Sequence, residues 1–130
     1  MVANVVESEA RLLVVDDDPI VAESLAEFLT EEGYACCTAH DGGEALRLVE
    51  EGDGEPKRAG IGIVVSDLNL PRTDGLELLR RLRKEHPSVV PIVITGYGKI
   101  ETAVEAVKLG AVDYLTKPIV DDELRLAVSK

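Results

Sequence analysis

The stretch IVVSDLNLPRTDG, residues 63–75, contains the carboxylate around which the rest of the chain is organised. Three β-branched apolar residues bounded by polar ones predict a buried strand that stops at Asp67 and gives way to a loop. Pro71 cannot continue a strand ladder and Gly75 can adopt a positive φ, so the loop is shaped before Leu76 opens a helix. A carboxylate is therefore expected at the exit of a buried strand.

Short apolar segments with polar residues at their exits recur along the chain, and amphipathic helical patterns separate them. The predicted strands are residues 11–15, 34–39, 61–66, 91–95 and 112–115. Helices are predicted from Pro19, after the turn at 41–43, over 75–86, after 96–98 and from Asp121. Five alternations with crossovers of this length predict an α/β fold with a doubly wound, five-stranded parallel sheet.

Apolar spacing and end signals predict which helix faces turn toward the core and where some helices begin and end. The inward residues are expected to be Ile20, Val21, Leu25, Phe28, Leu29, Ala45, Leu46, Val49, Leu76, Leu79, Leu82, Ile100, Ala103, Val104, Val107, Leu124 and Val128. Asp18 is expected to cap the first helix, and Gly33 and Gly110 are expected to end two helices. Glu77 is expected to pair with Arg81, four residues later.

Length and charge bound the class of protein. The 130 residues suffice for one domain with a core, so residues 11–130 are expected to fold after a flexible leader at 1–10. The net charge of −11 argues against direct binding of nucleic acid or an anionic membrane, because phosphate binding needs clustered Lys and Arg. A membrane span and a signal-peptide pattern are both missing from the sequence, so a soluble, cytoplasmic protein is expected.

The cysteines and histidines suggest no redox or metal chemistry of their own. Cys36 and Cys37 are adjacent in a predicted strand, so their side chains should point to opposite faces and act as small apolar residues. His40 and His86 have no companion Cys or His at metal-ligand spacing, and both are expected on the surface or in loops.

Polar residues at the predicted strand exits should converge in one cleft. Ligands of doubly wound sheets bind beyond the carboxyl ends of the strands, near the point where the strand order reverses. The residues expected there are Asp16, Asp17, Asp67, Thr95 and Lys117.

Such a cleft is suited to phosphoryl transfer. Carboxylates brought together repel one another, and a cation among them keeps them ionised at neutral pH. Oxygen ligands without thiolate or imidazole favour Mg²⁺, or Mn²⁺. A carboxylate beside such an ion can attack phosphorus, while Lys117 supplies positive charge and Thr95 a hydroxyl donor.

At these residues the chain resembles the receiver domain of bacterial two-component response regulators. The matching pieces are LVVDD at 13–17, the loop from Asp67 to Gly75 with Pro71, Thr95-Gly96, and YLTKP at 114–118. The resemblance implies a flavodoxin-like (βα)5 fold with strand order 2-1-3-4-5. The run at 96–98 and the segment 111–114 are similar to receivers attached to σ54-type transcriptional activators of the NtrC-like type.

The resemblance also implies a role for each matching residue. Asp67 would accept a phosphoryl group from a phosphohistidine on a sensor histidine kinase or a histidine phosphotransfer protein. Asp17, Asp67 and the main-chain carbonyl of Asn69 would bind Mg²⁺ directly, and Asp16 would act through water. Lys117 would pair with Asp67 and later with the phosphoryl group.

Further implied features concern the response to phosphorylation. Thr95 and Tyr114 would be the switch residues, and the bond between Lys117 and Pro118 would be cis. The domain would pass its state to an output domain or partner in transcription regulation, without acting as a multi-turnover enzyme. Phosphorylation is expected to promote a homodimer through the surface that carries Lys108 and Tyr114.

Two alternatives remain open at the level of sequence. A haloacid-dehalogenase-like phosphatase would use Asp16 as nucleophile in the Asp-x-Asp motif at 16–18, but Ile20 does not fit that motif and the Asp67 loop would have no role. The second alternative is a receiver that is never phosphorylated and acts only as a binding module.

Overall fold

The computed structural model describes residues 11–51, 60–68, 75–95, 100–111, 113–116 and 121–129. Within these ranges strands and helices alternate along the chain. The strands are β1 (Arg11–Val15), β2 (Cys36–Ala39), β3 (Ile61–Asp67), β4 (Val90–Thr95) and β5 (Asp113–Thr116). The helices are α1 (Pro19–Glu31), α2 (Gly42–Glu51), α3 (Gly75–Glu85), α4 (Ile100–Lys108) and α5 (Asp121–Val128).

The strands form one parallel sheet in the order β2-β1-β3-β4-β5, which confirms both the predicted sheet and the order implied by the resemblance. The chain first adds β2 on one side of β1 and then returns to add β3 on the other side. The strand order therefore reverses between β1 and β3. In register, Val15 lies beside Ala39 and Ser66, so the carboxyl ends of the three strands meet at one edge.

The glycines predicted to end helices do so by the same hydrogen-bond pattern. Gly33 and Gly110 both have φ of 107°. After α1, Gly33 N–H donates to Thr30 and Tyr34 N–H donates to Leu29. This pattern satisfies the last carbonyl groups of a helix that ends in a left-handed residue. Because Tyr34 still serves the end of α1, β2 begins at Cys36, two residues later than predicted.

The predicted cap of α1 is also present. The side chain of Asp18 accepts a hydrogen bond from the main-chain N–H of Ile20 at 3.0 Å, and Pro19 is the first helical residue. Pro19 lacks an N–H, so it removes one donor that the helix start would leave unpaired. The β1–α1 connection therefore consists only of residues 16–18, and all three of them are aspartates.

Apolar side chains fill both sides of the sheet. Leu13, Val15 and Val64 pack on one side with residues of α2 and α3. Leu12 and Val14 pack on the other side with residues of α1 and α5. A sheet covered on both faces requires apolar residues at successive positions, which explains why the central strands are continuous apolar runs.

Cys36 and Cys37 contact opposite sides of this sheet, as predicted, and neither forms a disulfide. Burial raises the pKa of the Cys36 thiol, and this effect exceeds the lowering caused by a hydrogen bond with Thr30 and by the charge of Arg11. Cys36 therefore remains a neutral thiol at neutral pH, consistent with an apolar packing role.

Three predicted inward residues are wrong. Ile20 is 75% exposed in the first turn of α1. Val104 and Val107 are 46% and 58% exposed, and among the α4 side chains that the structure describes it is Ala106 that is buried in the core. The side chains of Ile100 and Ala103 lie outside the described part of the chain. A small residue at the contact lets the helix approach the sheet closely and leaves the larger apolar side chains outside.

Helix α3 buries a wider face than its spacing predicted. Leu79 and Leu82 are buried as expected, but Leu78 is buried as well and Leu76 only partly. Leu78 and Leu82 face the α2 side, whereas Leu79 faces the α4 side. A helix packed between two neighbours needs apolar residues on more than one stripe.

The predicted interaction of Glu77 with Arg81 is present as a charge effect: Glu85 raises the pKa of Arg81 most, and the charge of Glu77 raises it further. Glu77 binds Arg80 at 3.0 Å, and Arg81 binds Glu85 at 3.2 Å. Both pairs use spacings that are adjacent on a helix surface, so Arg81 had two possible partners. The pairs are half exposed and contribute little to stability.

The helices in the described ranges all fall short of the length and apolar character needed to cross a lipid bilayer.

Replacing Leu13 by Ala tests the importance of the sheet core. Leu13 is fully buried, so we expect Leu13→Ala to lower the free energy of unfolding by about 2–5 kcal/mol, measured by urea denaturation. Leu126→Ala is the matched control, because Leu126 is mostly exposed. Equal losses in the two variants would contradict this account of the core.

Candidate functional site

Three carboxylates meet at the carboxyl edge of the sheet, where the strand order reverses. Asp16 follows β1 and Asp67 ends β3, the neighbouring strand. One carboxylate oxygen of Asp16, Asp17 and Asp67 each lies within 4.8 Å of the other two. We call these three residues the acidic cluster. The structure thus brings together three of the residues that the sequence placed in one cleft.

Asp16 is held in place by hydrogen bonds to its neighbours in the fold. Its main-chain N–H donates to the carbonyl of Ala39 at the end of β2 at 3.1 Å. Its side-chain oxygen accepts from the N–H of Asp18 at 3.0 Å. The side chain is almost fully buried, so these bonds satisfy polar groups that water does not reach. Asp17, next in the chain, is exposed.

Asp67 is also buried, and the backbone around it is fixed by β4 and α3. Leu68 N–H donates to the carbonyl of Ile94 at 2.8 Å, and Gly75 N–H donates to the carbonyl of Leu68 at 2.9 Å. The Ser66 hydroxyl donates to the carbonyl of Asp67 at 3.0 Å. The end of β3 is therefore tied to elements on both sides of it.

Gly75 has a different role from the one expected. It does not have a positive φ; it is required because the start of α3 approaches the end of β3 closely. A Cβ atom on Gly75 would lie 2.4 Å from Cα of Leu68 and 2.8 Å from the carbonyl oxygen of Asp67. Any larger residue would therefore displace the backbone of Asp67.

The acidic cluster has the donor set of a hard divalent cation. Three negative charges at this separation repel one another, and burial of two of them removes the screening that water provides. A divalent cation would neutralise most of this charge. The donors are all carboxylate oxygens, which fit Mg²⁺ or Mn²⁺ better than metals that prefer nitrogen or sulfur.

Other predicted site residues are only partly described. Thr95 ends β4 beside Thr116, and Tyr114 lies in β5 beside Val93, but their side chains lie outside the described part of the chain. Asn69, Lys117 and Pro118 also lie outside the described residues.

A second group of possible ligands lies away from the acidic cluster, where α2 and α3 end. Its members are Glu50, Glu85 and His86. His86 Nε2 lies 3.6 Å from Glu50, and Arg81 binds Glu85 at 3.2 Å. An arginine already provides positive charge in this group.

His40 was not among the predicted site residues, although it lies against the acidic cluster. Its ring nitrogen Nδ1 is 3.1 Å from the main-chain oxygen of Asp16. The two residues are 24 positions apart in the sequence, and only the alignment of β1 with β2 brings them together. No local sequence pattern signals such a contact.

The chain is similar to known proteins over almost its whole length. A family model described as the response regulator receiver domain matches residues 12–129. The transcriptional regulatory protein GlrR of Escherichia coli K12 is 38% identical over 119 residues, which cover 92% of this chain and 25% of that protein. The chain thus spans about a quarter of the length of this curated relative. The relatives include NtrC-like regulators, which supports the resemblance to a receiver of a σ54-type activator.

Solved structures are similar as well. A response regulator receiver domain protein from Clostridium thermocellum has a TM-score of 0.83 and 30% identity, covering 93% of this chain and 92% of that chain. A response regulator from Burkholderia pseudomallei, solved with a phosphorylated aspartic acid, a calcium ion and citrate, has a TM-score of 0.78 and 37% identity. The alignment covers 92% of this chain and 66% of that one.

Replacing Gly75 by Ala tests the close approach of α3 to Asp67. The added methyl group must push against main-chain atoms, so we expect a loss of about 1–3 kcal/mol in the free energy of unfolding. We also expect weaker Mg²⁺ binding, measured by NMR titration, because the carbonyl of Asp67 must shift. Gly60→Ala is the control, since a Cβ there meets no atom within 4 Å. Indistinguishable variants would show that the contact is unimportant.

Proposed function

Because the chain belongs to the response regulator receiver domain family, we propose that it is a phosphorylation-activated switch in which Asp67 accepts the phosphoryl group. The observation that carries the proposal is the acidic cluster at the carboxyl edge of the sheet. Asp67 ends the strand next to β1, and the two acids after β1 lie within a few ångströms of it. We propose residues 11–130 as the receiver and residues 1–10 as a leader.

Mg²⁺ is the proposed cofactor, with Mn²⁺ as a substitute. Asp17, Asp67 and the main-chain carbonyl of Asn69 would hold it directly, and Asp16 would act through a water molecule. The bound ion would neutralise charge on the phosphoryl oxygens. The calcium ion and phosphorylated aspartic acid of the Burkholderia pseudomallei relative support this assignment.

In the proposed reaction an oxygen of the Asp67 carboxylate attacks phosphorus of a phosphohistidine on a sensor histidine kinase or a histidine phosphotransfer protein. A P–O bond forms, the P–N bond breaks, and the imidazole leaves with the bonding electron pair. Lys117 would pair with the phosphoryl oxygens, and the Thr95 hydroxyl would donate to them. The domain promotes its own phosphorylation and the later loss of the group to water, and does not act as a multi-turnover enzyme.

The proposed output follows from the phosphoryl group. Thr95 would move toward it and Tyr114 would turn inward, while the Lys117–Pro118 bond is proposed to be cis. The change would alter the surface of α4, β5 and α5 that an output domain or partner contacts. Transcription regulation in the cytoplasm is the proposed setting, in keeping with a relative that is a transcriptional regulatory protein. The domain itself is proposed to contact neither nucleic acid nor membrane.

Phosphorylation by a small acyl phosphate tests the role of Asp67. We expect the wild-type chain to gain one phosphoryl group in the presence of Mg²⁺, observed by intact-mass spectrometry. Asp67→Asn should abolish this gain, because an amide is not a nucleophile toward phosphorus. Asp122→Asn is the matched control, since this carboxylate is exposed on α5, pairs with Arg125 and is not a member of the acidic cluster.

The same experiment distinguishes the alternatives, which the family assignment does not favour. Continuous hydrolysis that survives Asp67→Asn but is lost in Asp16→Asn would support a phosphatase with Asp16 as nucleophile. A wild-type chain that takes up no phosphoryl group, and whose NMR spectrum does not respond to beryllofluoride with Mg²⁺, would support an unphosphorylated binding module.

Dimer formation on activation is a separate proposal. The exposed apolar side chains of Val104 and Val107 lie on α4 beside Lys108, and exposed apolar groups often mark a protein contact. We expect the wild-type chain to sediment as a dimer with beryllofluoride and Mg²⁺, and Val107→Asp to remain a monomer because a carboxylate would be buried. Ser24→Asp on the exposed side of α1 is the control. A sedimentation mass unchanged by activation would refute the dimer.

A further inference from the structure

His40 is fixed in position by hydrogen bonds at the start of α2. The main-chain N–H of His40 donates to Oε1 of Glu44 at 2.9 Å. The main-chain N–H of Glu44 in turn donates to Oδ1 of Asp41 at 2.8 Å. These two bonds resemble a capping box, except that the Glu44 side chain accepts from the residue before the cap, His40, and not from the cap residue Asp41. His40 is therefore attached to a helix.

The ring of His40 can only donate to Asp16. A main-chain carbonyl oxygen accepts hydrogen bonds and does not donate them, so the 3.1 Å contact requires the proton on Nδ1 of the ring. This bond complements the bond from the N–H of Asp16 to the carbonyl of Ala39. The end of β2 thus holds Asp16 through both of its main-chain polar groups.

Fixing the carbonyl of Asp16 also orients Asp17. The carbonyl group lies in the planar peptide unit that includes the nitrogen and Cα of Asp17. Rotation of that plane would carry the side chain of Asp17 with it. Asp17 is exposed, in contrast to the buried Asp16 and Asp67, so burial does not set its position.

We propose that His40 is a positioning residue for the acidic cluster: its Nδ1–H bond to the Asp16 carbonyl orients the Asp17 carboxylate and strengthens divalent-cation binding. The inference rests on the proposed function for the presence of the cation. From the sequence, His40 was expected only to lie on the surface or in a loop. A neutral hydrogen bond of this kind corresponds to roughly a 3- to 10-fold change in affinity.

The test uses variants that differ in where they can place an N–H group. Asn carries its amide nitrogen at the position of Nδ1 in His, whereas Gln carries it one atom further out. We expect the dissociation constant for Mg²⁺ to rise about 3- to 10-fold in His40→Ala and His40→Gln, and to remain near the wild-type value in His40→Asn. NMR titration of the whole chain with MgCl₂ measures this constant without any phosphorylation.

Two further measurements separate positioning from a general structural role. Ser88→Ala, at an exposed position between α3 and β4, should leave the Mg²⁺ dissociation constant unchanged. Thermal unfolding in EDTA reports the stability of each variant without metal. Lower stability in His40→Ala with an unchanged dissociation constant would overturn the inference, as would equal constants in His40→Asn and His40→Gln.

The failure of this inference differs from failure of the proposed function. If the wild-type chain binds Mg²⁺ and accepts a phosphoryl group, but His40→Ala binds Mg²⁺ equally well, only the role of His40 is refuted. If the wild-type chain neither binds Mg²⁺ nor accepts a phosphoryl group, the proposed function fails and this inference fails with it.

Discussion

Repulsion among the carboxylates of the acidic cluster is the constraint on which the rest of the structure depends. Two of these acids are buried, and their charges lie close together. The fold must therefore offset both the cost of desolvating the carboxylates and the repulsion among them. The two adjacent strands β1 and β3, which are packed on both faces, end at the same edge of the sheet. Main-chain bonds from β2, β4 and α3 then prevent these strand ends from moving apart.

The order of the elements was predictable because its signals are local. Apolar runs, the proline after Asp18 and the two helix-ending glycines act within a few residues of where they stand. Burial on helix faces was less predictable, because it depends on which neighbours a helix has. Ile20 has an apolar side chain but is exposed in the first turn of its helix, and Val107 is exposed while the neighbouring Ala106 is buried. The spacing of apolar residues along a helix does not reveal which neighbours surround that helix in the fold.

The candidate site shows the same division. Acids at strand exits were predictable, because parallel strands place their carboxyl ends on one edge. The contact of His40 with Asp16 was not, since it depends on the register of β1 with β2. Gly75 was predicted to shape the loop because glycine can adopt a positive φ, but this is not why glycine is needed there. The sequence indicates that glycine is permitted there, whereas only the packing of α3 on β3 explains why a side chain is excluded.

The packing around the sheet differs from one side to the other, and this difference gives the proposed switch a direction. Helix α5 is tied to α1, because Arg125 binds Glu32 at 2.9 Å and lies over the ring of Phe28. Helix α4 contacts the core through Ala106, while Val104 and Val107 remain exposed. Among the side chains that the structure describes, α4 buries one, whereas α3 buries three leucines. A phosphoryl group on Asp67 would lie next to β4, the strand that precedes α4 in the chain, so the proposed switch would act through this helix.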